Sequence, residues 1–229
     1  MNDNITEINK DSFWKLIQSA KETCGQDMDA MMDFLKDRLV SMGPEQAQNF
    51  HDILHAYEDL ADKFGLWDAA GVMKEYGCSD DGFIDFRAWL IAQGKEVYLA
   101  ALADPDSLAE VEPYGDCSFE QMSYVGEYAY KQLTGKSTYE QTDQREYKKL
   151  VAELKQDITY KDGIQFPREG AELKQFLPRL CAKYPDRWLE PHWNLDLKVV
   201  RELFYAGKVH GHRQQVCKKK NRGHGGEAR

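Results

Sequence analysis

Residues 77–95 read GCSDDGFIDFRAWLIAQGK, an acidic turn followed directly by an apolar helical pattern. Over residues 83–93 the apolar side chains point in nearly every direction around a helix, which predicts a helix with most of its surface buried. Ser79, Asp80 and Asp81 precede this run, and such residues accept hydrogen bonds from the free N–H groups of a first helical turn. The segment therefore predicts a buried helix with an acidic, capped start.

Helical periodicity extends over most of the rest of the chain. Apolar residues recur at helical spacing over residues 12–24, 28–40, 44–63, 66–76, 118–133, 143–157 and 169–183, with Ser12 and Ser118 as predicted N-caps. No stretch predicts a strand and no internal repeat is present. We expect an all-α, irregular multi-helix single domain over residues 1–135, a helical C-terminal extension packed on it over 136–206, and a flexible basic tail over 207–229.

Charge is divided unevenly along the 229 residues. The net charge is −9, but residues 208–229 carry seven Lys or Arg and one Glu, which leaves −15 for the first 207 residues. An acidic body repels phosphate backbones, so nucleic acid is not expected as a partner except weakly, through residues 208–229. The charge is compatible with a protein partner or a small-molecule ligand, and the oligomeric state stays open.

The cysteine pattern and the length of the apolar runs indicate which cellular compartment and which cofactors to expect. The five cysteines are odd in number, widely spaced and never in a C-x-x-C pair, which disfavours a disulfide framework or a zinc ribbon. No apolar run approaches the roughly 18 residues of a membrane span, and the N-terminus lacks a basic-then-apolar leader. We expect a cytoplasmic protein with no membrane contact. No phosphate-loop or dinucleotide fingerprint is present, so no cofactor is predicted.

Candidate ligand-binding residues concentrate in residues 77–95. They are Asp80, Asp81, Arg87, Trp89 and Lys95, with Trp67 as a further aromatic wall. A buried guanidinium is costly without an anionic partner, so Arg87 needs a carboxylate of the protein or an anion of a ligand. Residues 81–85 imitate the middle of a calcium loop, but Gly77 and Ala88 stand where the two strongest ligands would be, so no metal is predicted.

Two principal functions remain open for this segment. The first is a non-catalytic binding or regulatory module that recognises a protein or small ligand through residues 77–95. The alternative is an enzyme acting on a nucleotide-like or other anionic substrate, with Arg87 and Lys95 as an anion clamp and Asp80 or Asp81 as acid/base or metal ligand. No catalytic motif is complete, which favours the binding module, and catalytic residues are not assigned.

A second group of polar residues follows a single helical stripe. His51, His55, Glu58 and Asp62 recur at i, i+4, i+7 and i+11, a spacing that could hold a divalent metal. The stripe lies opposite the apolar face of the same predicted helix. It is therefore interpreted as a solvated helix surface rather than a metal site.

Several stretches taken together are similar to a bacterial family known as domain of unknown function 4240. They are Phe13-Trp14 with Ile17, LWDAA at 66–70, the segment 77–95, and DPD at 104–106 with Leu108. The resemblance covers about residues 11–133, and Tyr184, Pro185 and Trp188 resemble the family's C-terminal close. It implies a small bacterial cytoplasmic protein and no particular activity. Residues 136–170 and the basic tail lie outside the usual pattern and inherit nothing.

Overall fold

The computed structural model describes residues 5–187, and all regular structure in that range is helical. The α-helices are α1 Lys10–Cys24, α2 Met28–Met42, α3 Pro44–Leu60, α4 Phe64–Met73, α5 Asp80–Ala92, α6 Lys95–Ala103, α7 Val125–Thr134, α8 Gln144–Leu154, α9 Gly170–Phe176 and α10 Pro178–Lys183. Short 3-10 helices cover Pro105–Glu110, Gly115–Cys117, Glu120–Tyr124, Thr138–Glu140 and Lys155–Asp157. The predicted all-α, multi-helix fold is confirmed for this range. None of the helices within it is both long and apolar enough to cross a membrane.

Helix α5 is buried along most of its length, as its sequence pattern predicts. Phe83, Phe86 and Trp89 are nearly or fully shielded from solvent, and their rings follow one another at centroid distances of 6.2 and 5.6 Å. The core continues from α5 into side chains of α1, α3, α4 and α6. Burial of large apolar side chains contributes about 1.5–3 kcal/mol each, so this cluster is the main source of the stability of the fold.

The first helix begins earlier than predicted. Asn9 is the N-cap, and its side chain accepts hydrogen bonds from the N–H groups of Asp11 and Ser12. Ser12 lies inside the helix, where its hydroxyl accepts a hydrogen bond from the N–H of Asn9. The prediction of Ser12 as N-cap is therefore wrong, because Asn9 and Ser12 form a reciprocal capping box.

The predicted helix over residues 118–133 starts later than its periodicity indicates. Residues Glu120–Tyr124 form a tighter 3-10 helix, and the α-helix begins only at Val125. Ser118 does not cap it, because its hydroxyl bonds to the ammonium group of Lys74 instead. Lys74, which follows the end of α4, thus occupies the hydroxyl oxygen that an N-cap would have used.

The predicted helix over residues 169–183 is broken into α9 and α10 at Leu177. Pro178 cannot donate a backbone hydrogen bond, and Leu177 leaves helical geometry with φ −125° and ψ 56°. The carboxylate of Asp106 then accepts the N–H groups of Arg179 and Leu180, at 3.0 and 2.9 Å. A residue more than seventy positions earlier in the chain therefore satisfies the start of α10.

Helix α7 lies against α3 at unusually close range. A Cβ placed on Gly126 would come within 2.8 Å of the Cβ of His51 and 3.0 Å of the carbonyl oxygen of Ala47. The glycine therefore permits this packing, and the packing covers the face of α3 that carries His51. Helix α8 covers the same side of α3 further towards its C-terminus. Predictions for residues 188–229, including the basic tail, lie outside the described residues.

Candidate functional site

The acidic start of α5 is exposed. Ser79 is the N-cap and its hydroxyl accepts the N–H of Gly82 at 3.0 Å. Asp80 and Asp81 follow in the first helical turn with their side chains towards solvent. Their charge lies beside the positive end of the helix, where it is favourable.

Arg87 is turned into the protein. The side chain is nearly buried, with a relative exposure of the residue of 5%. Its Nη1 donates to the backbone oxygen of Glu58 at 3.0 Å and lies 3.8 Å from a carboxylate oxygen of Asp62. Its guanidinium carbon lies 5.1 Å from the ring centroid of Phe83. Since the last carbonyl groups of a helix lack partners within the helix, Arg87 stabilises the C-terminal turn of α3.

The other predicted site residues lie apart from one another. Trp67 stacks on Phe83 at a centroid distance of 5.2 Å, and its indole N–H donates to the carbonyl oxygen of Cys78. Trp89 is fully buried in α5. Lys95 begins α6 and lies 3.8 Å from Asp11, with 43% of its side chain exposed.

The structure thus brings only part of the predicted group together. Trp67 and Arg87 both contact the ring of Phe83. Asp80 and Asp81 lie at the start of α5, whereas Lys95 begins the next helix, after α5 has ended at Ala92. Because Trp89 is fully buried and Arg87 nearly so, the six side chains do not line one open cleft.

The interpretation of the histidine stripe on α3 as a solvated surface is wrong. His51 and Glu58 are buried, with 3% and 5% of their surface exposed, and His55 is largely covered. Helix α7 and the segments 120–124 and 138–147 pack over this face. Residues 138–147 are rich in tyrosine, threonine and glutamine, so they cover the stripe with hydroxyl and amide groups rather than apolar side chains. Across residues 5–187 no three His, Cys, Asp or Glu side chains have a geometry that could hold a metal ion.

A cleft of about 230 Å³ lies between α3 and the segment 139–147, and we call it the His55 cleft. Its lining residues are His51, Asp52, His55, Asp59, Tyr139, Thr142, Gln144 and Tyr147. The first four lie on neighbouring turns of α3, and the other four come from the 3-10 helix Thr138–Glu140, the residues after it and α8. The cleft is therefore built from two polar segments that are about ninety residues apart in the chain.

His55 is held in the cleft by a chain of hydrogen bonds. Its Nδ1–H donates to the carboxylate of Glu58 at 2.8 Å, and the hydroxyl of Ser123 donates to the other oxygen of that carboxylate. The Nε2 of His55 lies 3.4 Å from the hydroxyl oxygen of Tyr139. Burial lowers the pKa of His55, but the hydrogen bond and charge of Glu58 outweigh it, so the pKa is raised above its ordinary value. One nitrogen is thus fixed by a buried carboxylate while the other faces the cleft.

His51 has the opposite electrostatic character. Burial, assisted by the neighbouring charge of His55, lowers the pKa of His51 to about 3. Its ring packs edge-on against Tyr139 at a centroid distance of 4.7 Å, and among residues 5–187 its Nδ1 has no hydrogen-bond partner. His51 therefore stays neutral at physiological pH, with one ring nitrogen as a donor and the other as an acceptor.

Two carboxylates complete the cleft, and each uses one oxygen within the protein. The Oδ1 of Asp52 accepts the hydroxyl of Thr142 at 2.7 Å and the amide of Gln48 at 3.0 Å. The Oδ2 of Asp59 accepts the hydroxyl of Tyr147 at 2.8 Å. Burial raises the pKa of Asp52, against the effect of its two hydrogen bonds. These bonds fix both walls of the cleft and orient both carboxylates.

Glu127 of α7 holds the segment that carries Tyr139. Its Oε2 accepts the N–H and hydroxyl of Thr138 at 2.7 and 2.6 Å and the hydroxyl of Ser137 at 3.3 Å. Burial raises the pKa of Glu127, but these bonds lower it further than burial raises it. The outer wall of the cleft is therefore attached to α7 as well as to α3.

The sequence placed His55 and Glu58 on one helical stripe with His51 and Asp62 but did not reveal the cleft. The available signal was the density of hydroxyl and amide groups in residues 138–147, which had no assigned role. Periodicity could not show that this segment folds back on α3, because the contact joins residues far apart in the chain.

The chain matches one family model, described as protein of unknown function (DUF4240), over residues 8–132, which is more than half of its length. No curated protein and no solved structure matches it. The matched range contains the α3 wall of the His55 cleft and Ser123. It ends before Tyr139, so the second wall is built by residues beyond the family match.

Proposed function

We propose that this chain, which belongs to the DUF4240 family of proteins of unknown function, is a ligand-binding module whose site is the His55 cleft. One observation carries the proposal: the Ser123–Glu58–His55 chain ends on an imidazole that lines an open cleft, with its Nε2 beside the hydroxyl of Tyr139. Burying a carboxylate and its cationic partner costs several kcal/mol per ion, and apolar residues of similar size often serve stability as well. A polar chain that leads into a cavity is therefore better explained by recognition than by packing.

The size and lining of the cleft suit a small polar ligand or a single side chain of a partner. Its volume of about 230 Å³ corresponds to roughly eight water molecules at liquid density. Tyr139 and Tyr147 contribute aromatic surface, and the remaining lining groups donate or accept hydrogen bonds. Ligand sites commonly combine a few oriented polar groups with aromatic walls in this way.

In this proposal residues 77–95 support the site instead of forming it. Arg87 holds the backbone of Glu58, which is the residue that orients His55. The backbone of Asp85 accepts the N–H of Phe119, just before the 3-10 helix that carries Ser123. Helix α5 therefore supports the hydrogen-bonded chain of Ser123, Glu58 and His55. Because Asp80 and Asp81 are exposed, the start of α5 remains the alternative binding surface.

A proton-transferring enzyme is the second candidate, favoured by the same His55–Glu58 pair. A histidine fixed at Nδ1 by a carboxylate presents its Nε2 as a general acid or base, and the Glu58 carboxylate raises the pKa of His55 above its ordinary value. This candidate predicts turnover of a cleft ligand with a pH profile that follows His55. Binding of the same ligand without any change in it favours the module.

The test is a thermal-shift screen of the full chain against metabolites, with cleft and control variants. His55→Gln combined with Glu58→Gln removes the charges and keeps a neutral hydrogen-bonding pair, and Tyr139→Phe removes the hydroxyl beside Nε2 of His55. A ligand at about a hundred times its Kd is expected to raise the Tm by roughly 5 °C or more in the wild type. The shift should be lost in the double variant and reduced in Tyr139→Phe.

The matched control is Asp80→Asn combined with Asp81→Asn, which changes only the exposed start of α5. This control is expected to keep the ligand-induced shift. If instead the control loses the shift and the cleft variants keep it, the binding site is the start of α5 and the proposal is wrong.

A further inference from the structure

We propose that the ligand of the His55 cleft carries a positively charged nitrogen with N–H donors, such as an alkylammonium or guanidinium group. This inference rests on the proposed function and names the chemistry of its ligand. Its starting point is the charge of the cleft. None of the eight lining residues is a lysine or an arginine, and two of them, Asp52 and Asp59, are carboxylic acids.

The third acid near the cleft, Glu58, does not add to this charge. Its carboxylate is bonded to His55 on one side and to Ser123 on the other. A protonated His55 and an ionised Glu58 cancel each other, and His51 is neutral. The net charge that a ligand meets is therefore that of Asp52 and Asp59.

Both carboxylates keep one oxygen for a ligand. Protein donors bond Oδ1 of Asp52 and Oδ2 of Asp59, and within residues 5–187 no donor is bonded to the second oxygen of either group. A carboxylate accepts hydrogen bonds at both oxygens, and bonds between ionised partners are about twice as strong as neutral ones. The two open oxygens can accept further hydrogen bonds, which an ammonium or guanidinium group supplies and a carboxylate or phosphate does not.

His51 forms part of the inner wall of the cleft and is 3% exposed. Burial lowers the pKa of its imidazole to about 3, so the ring is neutral at physiological pH. The inner wall of the cleft therefore carries no positive charge at His51 that would repel a cation.

Tyrosine rings provide the remaining contact that organic cations prefer. Tyr139 is 53% exposed at the mouth of the cleft, and its ring is fixed between His51 and His55 at 4.7 and 5.7 Å. The hydroxyl of Tyr147 is bonded to Asp59, so its ring also has a set position beside that carboxylate. A cation over the face of an aromatic ring gains about 0.5–2 kcal/mol in addition to its ion pair.

Binding of a cation must also be linked to the protonation of Asp52. Burial raises the pKa of this carboxyl in the free protein. A nearby cation favours the ionised form and lowers that pKa, so binding should release protons when the pH lies close to it. An anionic ligand would instead raise the pKa of Asp52, so its binding should take up protons.

The experiment is isothermal titration of the full chain at constant ionic strength with four matched probes. The probes are n-butylamine, 1,4-diaminobutane, butyrate and n-butanol, which share one carbon skeleton and differ in charge. The amines are expected to bind and the acid and alcohol are not. Asp59→Asn and Asp52→Asn should each weaken amine binding about tenfold, the loss of one charge-assisted contact. Asp80→Asn should leave it unchanged.

A fifth probe, N-acetyl-lysine methylamide, separates the two sources of such a group. Affinity equal to or above that of butylamine assigns the site to a lysine side chain of a partner, and selective binding of the free amines assigns it to a small molecule. Both results support the inference, because the ammonium chemistry is shared.

Two results would overturn this inference, and they have different consequences for the proposed function. Binding of butyrate or another anion that requires His55 would refute the cationic ligand and keep the cleft as a ligand site. Absence of binding by every probe, together with no ligand found for the wild type in the metabolite screen, would refute the cleft as a site altogether. Circular dichroism of Asp52→Asn and Asp59→Asn shows that any loss of binding is not a loss of fold.

Discussion

Replacement of His51 by glutamine should reduce the acid sensitivity of the protein. The pKa of this buried imidazole is lowered from 6.5 to about 3, chiefly by burial. Between these two values the unfolded chain binds a proton at His51 that the folded chain does not. The free energy of unfolding therefore rises with pH in this window and falls as the solution is acidified.

The magnitude follows from the two pKa values. Between about pH 7.5 and about pH 5, protonation of His51 in the unfolded chain lowers the free energy of unfolding by about 2 kcal/mol. Glutamine has no proton to gain, so the variant lacks this contribution at both pH values. Its packing cost lowers stability equally at both and cancels in the difference.

The assay is urea unfolding of wild type and His51→Gln at about pH 7.5, 6 and 5. The drop in unfolding free energy between the first and last pH should be about 2 kcal/mol smaller in the variant. The contribution of Asp52, whose pKa is also shifted, does not depend on His51 and cancels in the comparison. A second variant, His51→Leu, should show the same reduced pH dependence.

His55→Gln is the control with the opposite sign. The pKa of His55 is raised, so its contribution to stability is present below its ordinary pKa and is lost as the pH rises through the raised value. Removing it should make the loss of stability on acidification larger. If His51→Gln and the wild type have the same pH dependence within about 0.5 kcal/mol, His51 is not buried in its neutral form and the reasoning fails.

Three further changes test the packing around the cleft. Arg87→Ala should lower the free energy of unfolding by about 3 kcal/mol, because it removes a buried charge bonded to the end of α3, and urea unfolding with a loss below about 1 kcal/mol would contradict that role. Gly126→Ala places a methyl 2.8 Å from the Cβ of His51 and should cost about 1–3 kcal/mol, whereas unchanged stability would mean that α3 and α7 separate without penalty. Glu127→Gln should speed hydrogen exchange at the N–H of Thr138 about tenfold or more, and exchange at the wild-type rate would show that this carboxylate does not hold the segment.

Much of the fold could be predicted because it depends on neighbours in sequence. The burial of α5 follows from apolar side chains on all sides of one helix, and its start follows from Ser79. The failures have two causes. At Ser12 and in residues 169–183 a nearby residue, Asn9 or Pro178, was overlooked, whereas Ser118 is bonded to Lys74, which is distant in the chain.

The candidate site also depends partly on residue spacing and partly on contacts between distant residues. The spacing of His51, His55 and Glu58 on one helix face is a property of the sequence, but whether that face meets water is not. The face is buried because Gly126 lets α7 approach α3 and because residues 138–147 fold back over it. The folding back of residues 138–147 leaves no apolar period, since hydroxyl and amide groups make its contacts with α3.

By itself the amino-acid sequence determined an all-helical fold, the burial of α5 and an acidic first 207 residues, since helix propensity, capping and charge depend on residue type and short spacing. Only the tertiary structure decided that Arg87 faces the end of α3 and that a cleft opens at His55. These outcomes require contacts between residues dozens of positions apart, and the pKa of His51 or His55 is a consequence of those contacts. The pKa values of these two histidines, four residues apart, are shifted in opposite directions. His55 has the Glu58 carboxylate as a partner and His51 does not.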